Sequence, residues 1–179
     1  MSRVLGLSIN PQHQFSKPAV DAIELICGEG IVGDAHRGSC VKHRSRVKVD
    51  PTQANLRQVH LIHYELLEEL REQGYAVDPG TMGENITTSG IDLLALPRDT
   101  KLLIGSSVVI SLTGLRNPCA QLDDYQSGLT KAVLSRDDEG NIVRKAGVMA
   151  VVEQGGMIVT GDKISVEYPA KPFSKLQKV

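Results

Sequence analysis

Apolar residues along this chain cluster in short runs, and two different periods can be read from them. RVLGLSI, at 3–9, predicts an opening strand. AVDAIELICGEGIVGD, at 19–34, predicts a strand that ends in a turn marked by Gly30 and Gly33. LRQVHLI alternates well enough for a strand and leads into HYELLEELREQG. There Leu66, Leu67 and Leu70 recur at helical spacing among Glu and Arg, and Gly74 follows as a stop, which predicts a helix. The polar, basic segment between these runs, AHRGSCVKHRSRVKVDPTQ, predicts a long loop.

From Ala76 onward the texture changes. VDPGTMGENITTSGIDLLALPRDTKLLIGSSVVISLTGLR is rich in Val, Ile, Leu and Thr and is cut repeatedly by Gly and Pro. Short strands at close spacing predict a barrel or sandwich. A short helix is expected at 129–134, then hairpins with turns at 139–141, 155–156 and 161–162. Gly-Asp occurs at 33–34 and again at 161–162, which reads as two tight turns. The expectation is a mostly-β, closed or nearly closed sheet with a few peripheral helices. It forms one domain over 1–168, with a loose tail at 169–179.

Composition narrows the function classes. Apolar residues make up 41% of the chain, which suits a globular domain rather than a disordered one. A net charge of -1, aromatics at 3% and no Trp argue against nucleic acid as a partner. No window approaches the ~20 apolar residues a membrane helix needs, and MSRVLGLSIN lacks a signal-peptide layout. Cys27, Cys40 and Cys119 are odd in number and far apart, which predicts reduced thiols and a cytoplasmic location.

Candidate chemistry centres on LRNPCAQLD, at 115–123. Pro118 fixes its own φ and restrains Asn117, so Cys119 is rigidly presented, and Arg116 can reach it if the turn folds back. The residues alone leave two readings open: a reactive thiol beside a cation, or a small half-buried residue at a strand end. GDAHRGSCVKH holds Asp34, His36, Cys40 and His43, but it lacks the paired C-x2-C ends of structural zinc sites, and zinc is not predicted. Asp34 also reads as a turn-former whose carboxylate caps nearby amides. Lys42, Arg44, Arg46 and Lys48 alternate, and would suit a phosphate or acidic partner if extended, or else form a solvated basic loop. PGTMGENITTSG fits neither a P-loop nor a dinucleotide fingerprint. In it, Asn85 could be left-handed and Glu84 could hold amides across a turn.

Taken in order, GIVGDAHRG, RQVHLIHYE, PGTMGENITTSGIDL, LLIGSSVVISLTGLRNPCAQL and RKAGVMAVVEQGGMIVTGDKISV resemble a stand-alone MOSC domain. The family takes its name from the C-terminal domain of molybdenum-cofactor sulfurase, and the resemblance spans roughly Val4 to Val166. It implies a MOSC-type β-barrel. It also implies that Cys119 carries sulfane sulfur as a persulfide or ligates molybdenum in a bound molybdopterin cofactor. By the same resemblance Arg57, Arg116 and Asn117 would bind that cofactor, and Asp34, His36, Gly83, Glu84 and Asn85 would line the same cleft. Asp99 stands where relatives often have glycine, and the basic stretch around 42–50 has no assigned counterpart.

Three functions follow as expectations. The first is a cofactor-binding or sulfur-carrying protein that exchanges sulfur with a donor or acceptor protein. The second is a molybdenum-dependent reductase of N-hydroxylated substrates. Since no flavin, haem or iron–sulfur motif is present, it would draw electrons from a separate redox partner. The third is a non-catalytic barrel that binds another ligand. Pyridoxal phosphate is associated with a neighbouring domain of larger relatives, and no lysine here has a context that predicts a Schiff base.

Overall fold

The computed structural model describes residues 1–40, 47–50 and 52–179. Strands dominate it. From the N-terminus they are β1 (Arg3–Ser8), β2 (Ala19–Val20), β3 (Ala22–Ile26), β4 (Gly30–Ile31), β5 (Val59–His63) and β6 (Ile86–Ser89). The second half supplies β7 (Lys101–Ile104), β8 (Val108–Leu115), β9 (Leu134–Arg136), β10 (Ile142–Arg144), β11 (Val148–Gln154), β12 (Gly156–Val159) and β13 (Ile164–Glu167). Short helices among the described residues, α1 (Tyr64–Glu72), α2 (Gln121–Tyr125) and α3 (Leu129–Val133), join them, with a 3-10 turn at Leu93–Ala95.

The main sheet has eight strands in the order β13-β7-β8-β11-β5-β6-β1-β2. All its pairs are antiparallel except β5 with β6, which α1 connects as a crossover. A three-stranded sheet, β12-β3-β4, packs against it, so Ile23, Leu25, Ile31 and Ile158 share one core with Val4, Leu61, Ile110 and Val148. A second core lies on the other side, where Leu66, Leu67 and Leu70 of α1 meet Ile62, Leu122, Leu129 and Val133. Strand β5 is buried along its whole length because Leu61 faces one core and Ile62 the other. Each such fully buried Leu or Ile contributes about 1.5–3 kcal/mol.

The expected barrel is corrected: the mostly-β fold with few helices is there, but the sheets do not close. The edge of β1 explains why. Leu7 and Ser8 pair with the two-residue β2, while the other half of that edge meets a turn instead of a strand. Val4 N donates to Asp162 O at 2.8 Å, Gly161 N to Val4 O at 2.9 Å and Ile164 N to Ser2 O at 2.9 Å. These bonds bring the two ends of the sheet together without a ladder between β1 and β13.

Residues 169–179 carry no clear element signal in the sequence, yet their end is held in place. Arg98 N donates to Ser174 O at 2.8 Å, Leu115 N to Gln177 O at 2.7 Å and Val179 N to Leu115 O at 3.2 Å. Leu176 is buried in the main core. Asp99, the departure noted above, has φ 66°, the left-handed geometry that favours glycine and that Asp tolerates. No described helix is long and apolar enough to cross a membrane.

Candidate functional site

Strand β8 ends by projecting Arg116, Asn117, Pro118 and Cys119 over the edge of the sheet. Arg116 N donates to Gly147 O at 3.0 Å, which fixes the departure point, and Leu122 N donates to Cys119 O at 3.1 Å as α2 begins. Between these anchors Cys119 is half-buried. It faces a cavity of about 530 Å³, a volume suited to a small cofactor or substrate. Of the residues singled out in the sequence, Cys119, Arg116, Asn117, Arg57, His36, Gly83 and Asn85 all line this cavity. The structure therefore brings together positions up to 83 residues apart in sequence, counting from His36 to Cys119 (119 − 36).

Asp34 and Glu84 are absent from that lining. Asp34 is buried behind the wall, where it organises the groups that reach the cavity. Its Oδ2 accepts from Lys17 Nζ at 2.7 Å, Asn85 Nδ2 at 2.9 Å and Asn10 N at 3.3 Å. Its Oδ1 accepts from His36 N at 3.0 Å and meets His36 Nδ1 at 3.2 Å, so that ring nitrogen carries the proton. The bond from His36 N is the turn cap that the sequence suggested. Burial alone would raise the Asp34 carboxyl, but the His36 hydrogen bond and the Lys17 charge outweigh it and hold the group well below the usual carboxylate range.

Glu84 likewise points inward. Its Oε1 accepts from Gly80 N at 2.7 Å and Thr87 Oγ1 at 3.1 Å, holding an amide across the turn as expected. Burial pushes its carboxyl up despite those bonds. The left-handed residues of this turn are Gly80, at φ 84°, and Gly83, at φ 85°, and Asn85 does not have a positive φ. A Cβ on Gly83 would lie 2.5 Å from Phe15 O, so only glycine lets the two walls approach this closely.

Arg116 is the cation beside the thiol. Its guanidinium interacts electrostatically with Cys119 and donates to Met82 O, its carbon lies 5.6 Å from the Phe15 ring centroid, and the Cys119 thiol donates to Gln121 Oε1 at 3.6 Å. Burial lowers the Arg116 pKa, while Cys119 and Glu84 pull it back. Asn117 Oδ1 accepts from Arg144 Nε at 3.1 Å, which ties the loop to β10. On the opposite side, Arg57 donates to Val179 O. Asn55 braces that side: its Oδ1 accepts from Arg57 N at 3.0 Å, and its Nδ2 donates to His36 O and Gly38 O, both at 2.9 Å.

Several lining residues carry no sequence signal. Lys17 lies in an unremarkable SKPAV run, yet it is buried, and that burial lowers its pKa against the pull of Asp34. His60 donates from Nε2 to Ala146 O at 2.8 Å, and burial, followed by the Arg116 charge, pushes its pKa well down. His13, whose ring centroid is 5.2 Å from that of His36, together with Phe15 and Met149 completes the walls.

The other candidates lie elsewhere. Cys27 and Cys40 are exposed and outside the cavity lining. Lys42, His43, Arg44 and Arg46 fall outside the described residues, and Lys48 is exposed. Among the described residues, no group of three or more His, Cys, Asp or Glu is placed to hold a metal ion.

The profile of the MOSC domain matches residues 48–165 of this sequence. The chain belongs to the MOSC domain family. Its relatives include YuaD of Bacillus subtilis (strain 168), whose name places it provisionally in metal-sulfur cluster biosynthesis. YuaD is 26% identical over 185 residues, spanning 97% of this MOSC chain and 95% of YuaD. The crystal structure of the Bacillus subtilis YuaD protein superposes with a TM-score of 0.74 at 25% identity, covering 95% of this chain and 98% of that one. YiiM from Geobacillus stearothermophilus shares the fold at a TM-score of 0.68 and 15% identity, over 98% and 80% of the two chains.

Proposed function

We propose that this MOSC protein binds molybdenum cofactor or carries sulfur, with Cys119 as the group that holds the metal or the sulfur. The observation that carries the reading is the Arg116–Cys119 pair at the edge of a cavity whose walls include Arg57, Lys17 and His36. A half-buried thiol beside a guanidinium is suited to act as a thiolate nucleophile or soft metal ligand. The residues also fit a molybdopterin. Arg57 and Lys17 supply positive charge for its phosphate, Asn117 and Asn85 supply polar groups for a pterin, and Cys119 supplies the ligand for molybdenum. When bound, that cofactor would supply two-electron redox chemistry. Cys119 and Arg116 would hold it, and Asp34 would keep the His36 ring oriented at the wall. YuaD's link to metal-sulfur cluster biosynthesis supports the sulfur-handling theme.

In the sulfur-carrying form, the Cys119 thiolate attacks the outer sulfur of a persulfide donor. The donor's S–S bond breaks, and the donor thiolate leaves with the electron pair. Cys119 is then a persulfide, and no external oxidant is needed.

The test is molybdenum content per chain for the wild type and Cys119→Ala, produced in a host that makes the cofactor. Near-stoichiometric metal that is lost in the variant establishes the ligand role and favours the reductase of N-hydroxylated substrates, fed by a partner protein. If metal is absent from both while a control molybdoenzyme is loaded, the sulfur carrier remains. It then requires a mass gain of one sulfur atom at Cys119 after treatment with a persulfide donor. Neither metal nor sulfur on Cys119 sinks the proposal.

A further inference from the structure

The cavity has one wall made by a segment far from any sequence motif. Lys178 and Val179 line it alongside Cys119 and Arg57, and the Val179 carbonyl accepts from the Arg57 guanidinium. That carbonyl occupies the oxygen-acceptor position an anionic ligand would take on the same cation. The segment is docked by a few contacts. Leu115 N donates to Gln177 O at 2.7 Å, Val179 N donates to Leu115 O at 3.2 Å, and Leu176 is anchored in the core. Gly114, in β8, makes the docking possible. The nearest atoms to a Cβ there would be Gln177 O and the Val179 side chain, so any larger residue collides with this segment first. Around the docked residues the chain is mostly exposed: Lys175, Gln177 and Lys178 face solvent. The segment is flanked by the Pro97–Lys175 bridge and the Arg98 N–Ser174 O bond, and beyond them it holds to β8 by two main-chain bonds, Leu176 and the Val179 side chain at Gly114, so its last residues can part from β8 while the bridge stays.

We propose that residues 175–179 are a displaceable latch that competes with the anionic end of the ligand for Arg57. The latch rests on the reading that the cavity takes an anionic ligand between Arg57 and Cys119. When the segment is docked, the Val179 carbonyl accepts from Arg57 and Val179 lines that end of the cavity. Ligand binding releases the carbonyl, and Lys178 is then free to add its charge to the bound anion. Apparent affinity is therefore reduced by the fraction of molecules in which the latch is open.

Two full-length variants open the latch without touching a cavity cation. Gly114→Ala pushes on Gln177 O and Val179, and Val179→Pro removes the amide that donates to Leu115 O. Hydrogen exchange at the 176–179 amides reports docking directly, and calorimetry with inorganic phosphate reports the anion site. Phosphate is expected to speed exchange of the wild-type 176–179 amides. Each variant is expected to bind phosphate about tenfold tighter, if the open fraction is about one in ten. Should Gly114→Ala fail to fold, Val179→Pro carries the test alone. Faster exchange in a variant with unchanged phosphate affinity overturns the latch while leaving the anion site intact. Phosphate binding to neither wild type nor variant overturns both the latch and the anionic-ligand reading on which it rests.

Discussion

Lys17 Nζ and Asp34 Oδ2 are 2.7 Å apart, with their side chains 3% and 1% exposed. The pair is a structural support rather than a surface ornament. Asp34 simultaneously holds Asn85 and His36, two residues that line the cavity. Asp34→Asn strands the Lys17 ammonium in a buried site and should cost about 3–5 kcal/mol. The double variant Lys17→Met/Asp34→Asn should recover a large part of that loss. Urea unfolding of both variants checks the expectation, and equal stability of the single and double variants would count against it.

Stability should also follow pH in a defined window. Burial lowers the pKa of both His60 and His63, so each stays neutral in the fold below the pH where an unfolded histidine takes up a proton. The unfolded chain then binds more protons, and stability present above about pH 6.5 is lost as pH falls toward the folded values. The slope approaches about 1.4 kcal/mol per pH unit for each histidine. Asp34 has its pKa depressed too, but its contribution is lost only below the ordinary carboxylate range near ~4. Unfolding midpoints between pH 7.5 and 5.5 should therefore decline, and His60→Gln should flatten the curve.

Arg116 faces the thiol, so its removal should be felt at Cys119 first. Arg116→Gln is expected to slow alkylation of Cys119 by iodoacetamide, because the guanidinium that interacts with the sulfur and braces it against Met82 O is gone. Site-resolved mass spectrometry separates Cys119 from the exposed Cys27 and Cys40, whose rates should not change.

Gly83→Ala places a Cβ 2.5 Å from Phe15 O at a residue with φ 85°. The left-handed backbone alone costs about 1–2 kcal/mol, and the collision adds to it. Lower thermal stability together with weaker ligand binding is expected, since the same turn carries Asn85 into the cavity. A variant with wild-type stability would mean that the two walls can part.

Much of the sheet was legible because its strands are bounded by turn residues, and α1 was legible because Leu66, Leu67 and Leu70 share one helical face. Closure was not, because it depends on whether a strand or a turn meets the free edge of β1, and residues 160–162 offer a turn. At the site, Cys119 stood out for its polar, proline-fixed surroundings. Lys17 did not, since the charges that face it, Asp34, Arg116 and Glu84, are distant in sequence and announce nothing locally. The Asp34 and Glu84 motifs were visible, but their inward direction was not. A Gly-Asp or Gly-Glu-Asn turn looks the same whether its carboxylate faces a ligand or braces the wall behind one. Leu176, alone among polar neighbours, gave no hint that it anchors the last residues.

The pairing of β3 with β12 has a consequence for how the molecule is made. Ile23 lies opposite Ile158, so the second sheet waits for a strand synthesised well over a hundred residues later. Val4 likewise waits for Gly161 and Asp162. A nascent chain emerging from the ribosome has Lys17 and Asp34 early but no finished sheet to bury them against. Cys119 is thus translated before β11 and β12, the strands that complete the two sheets.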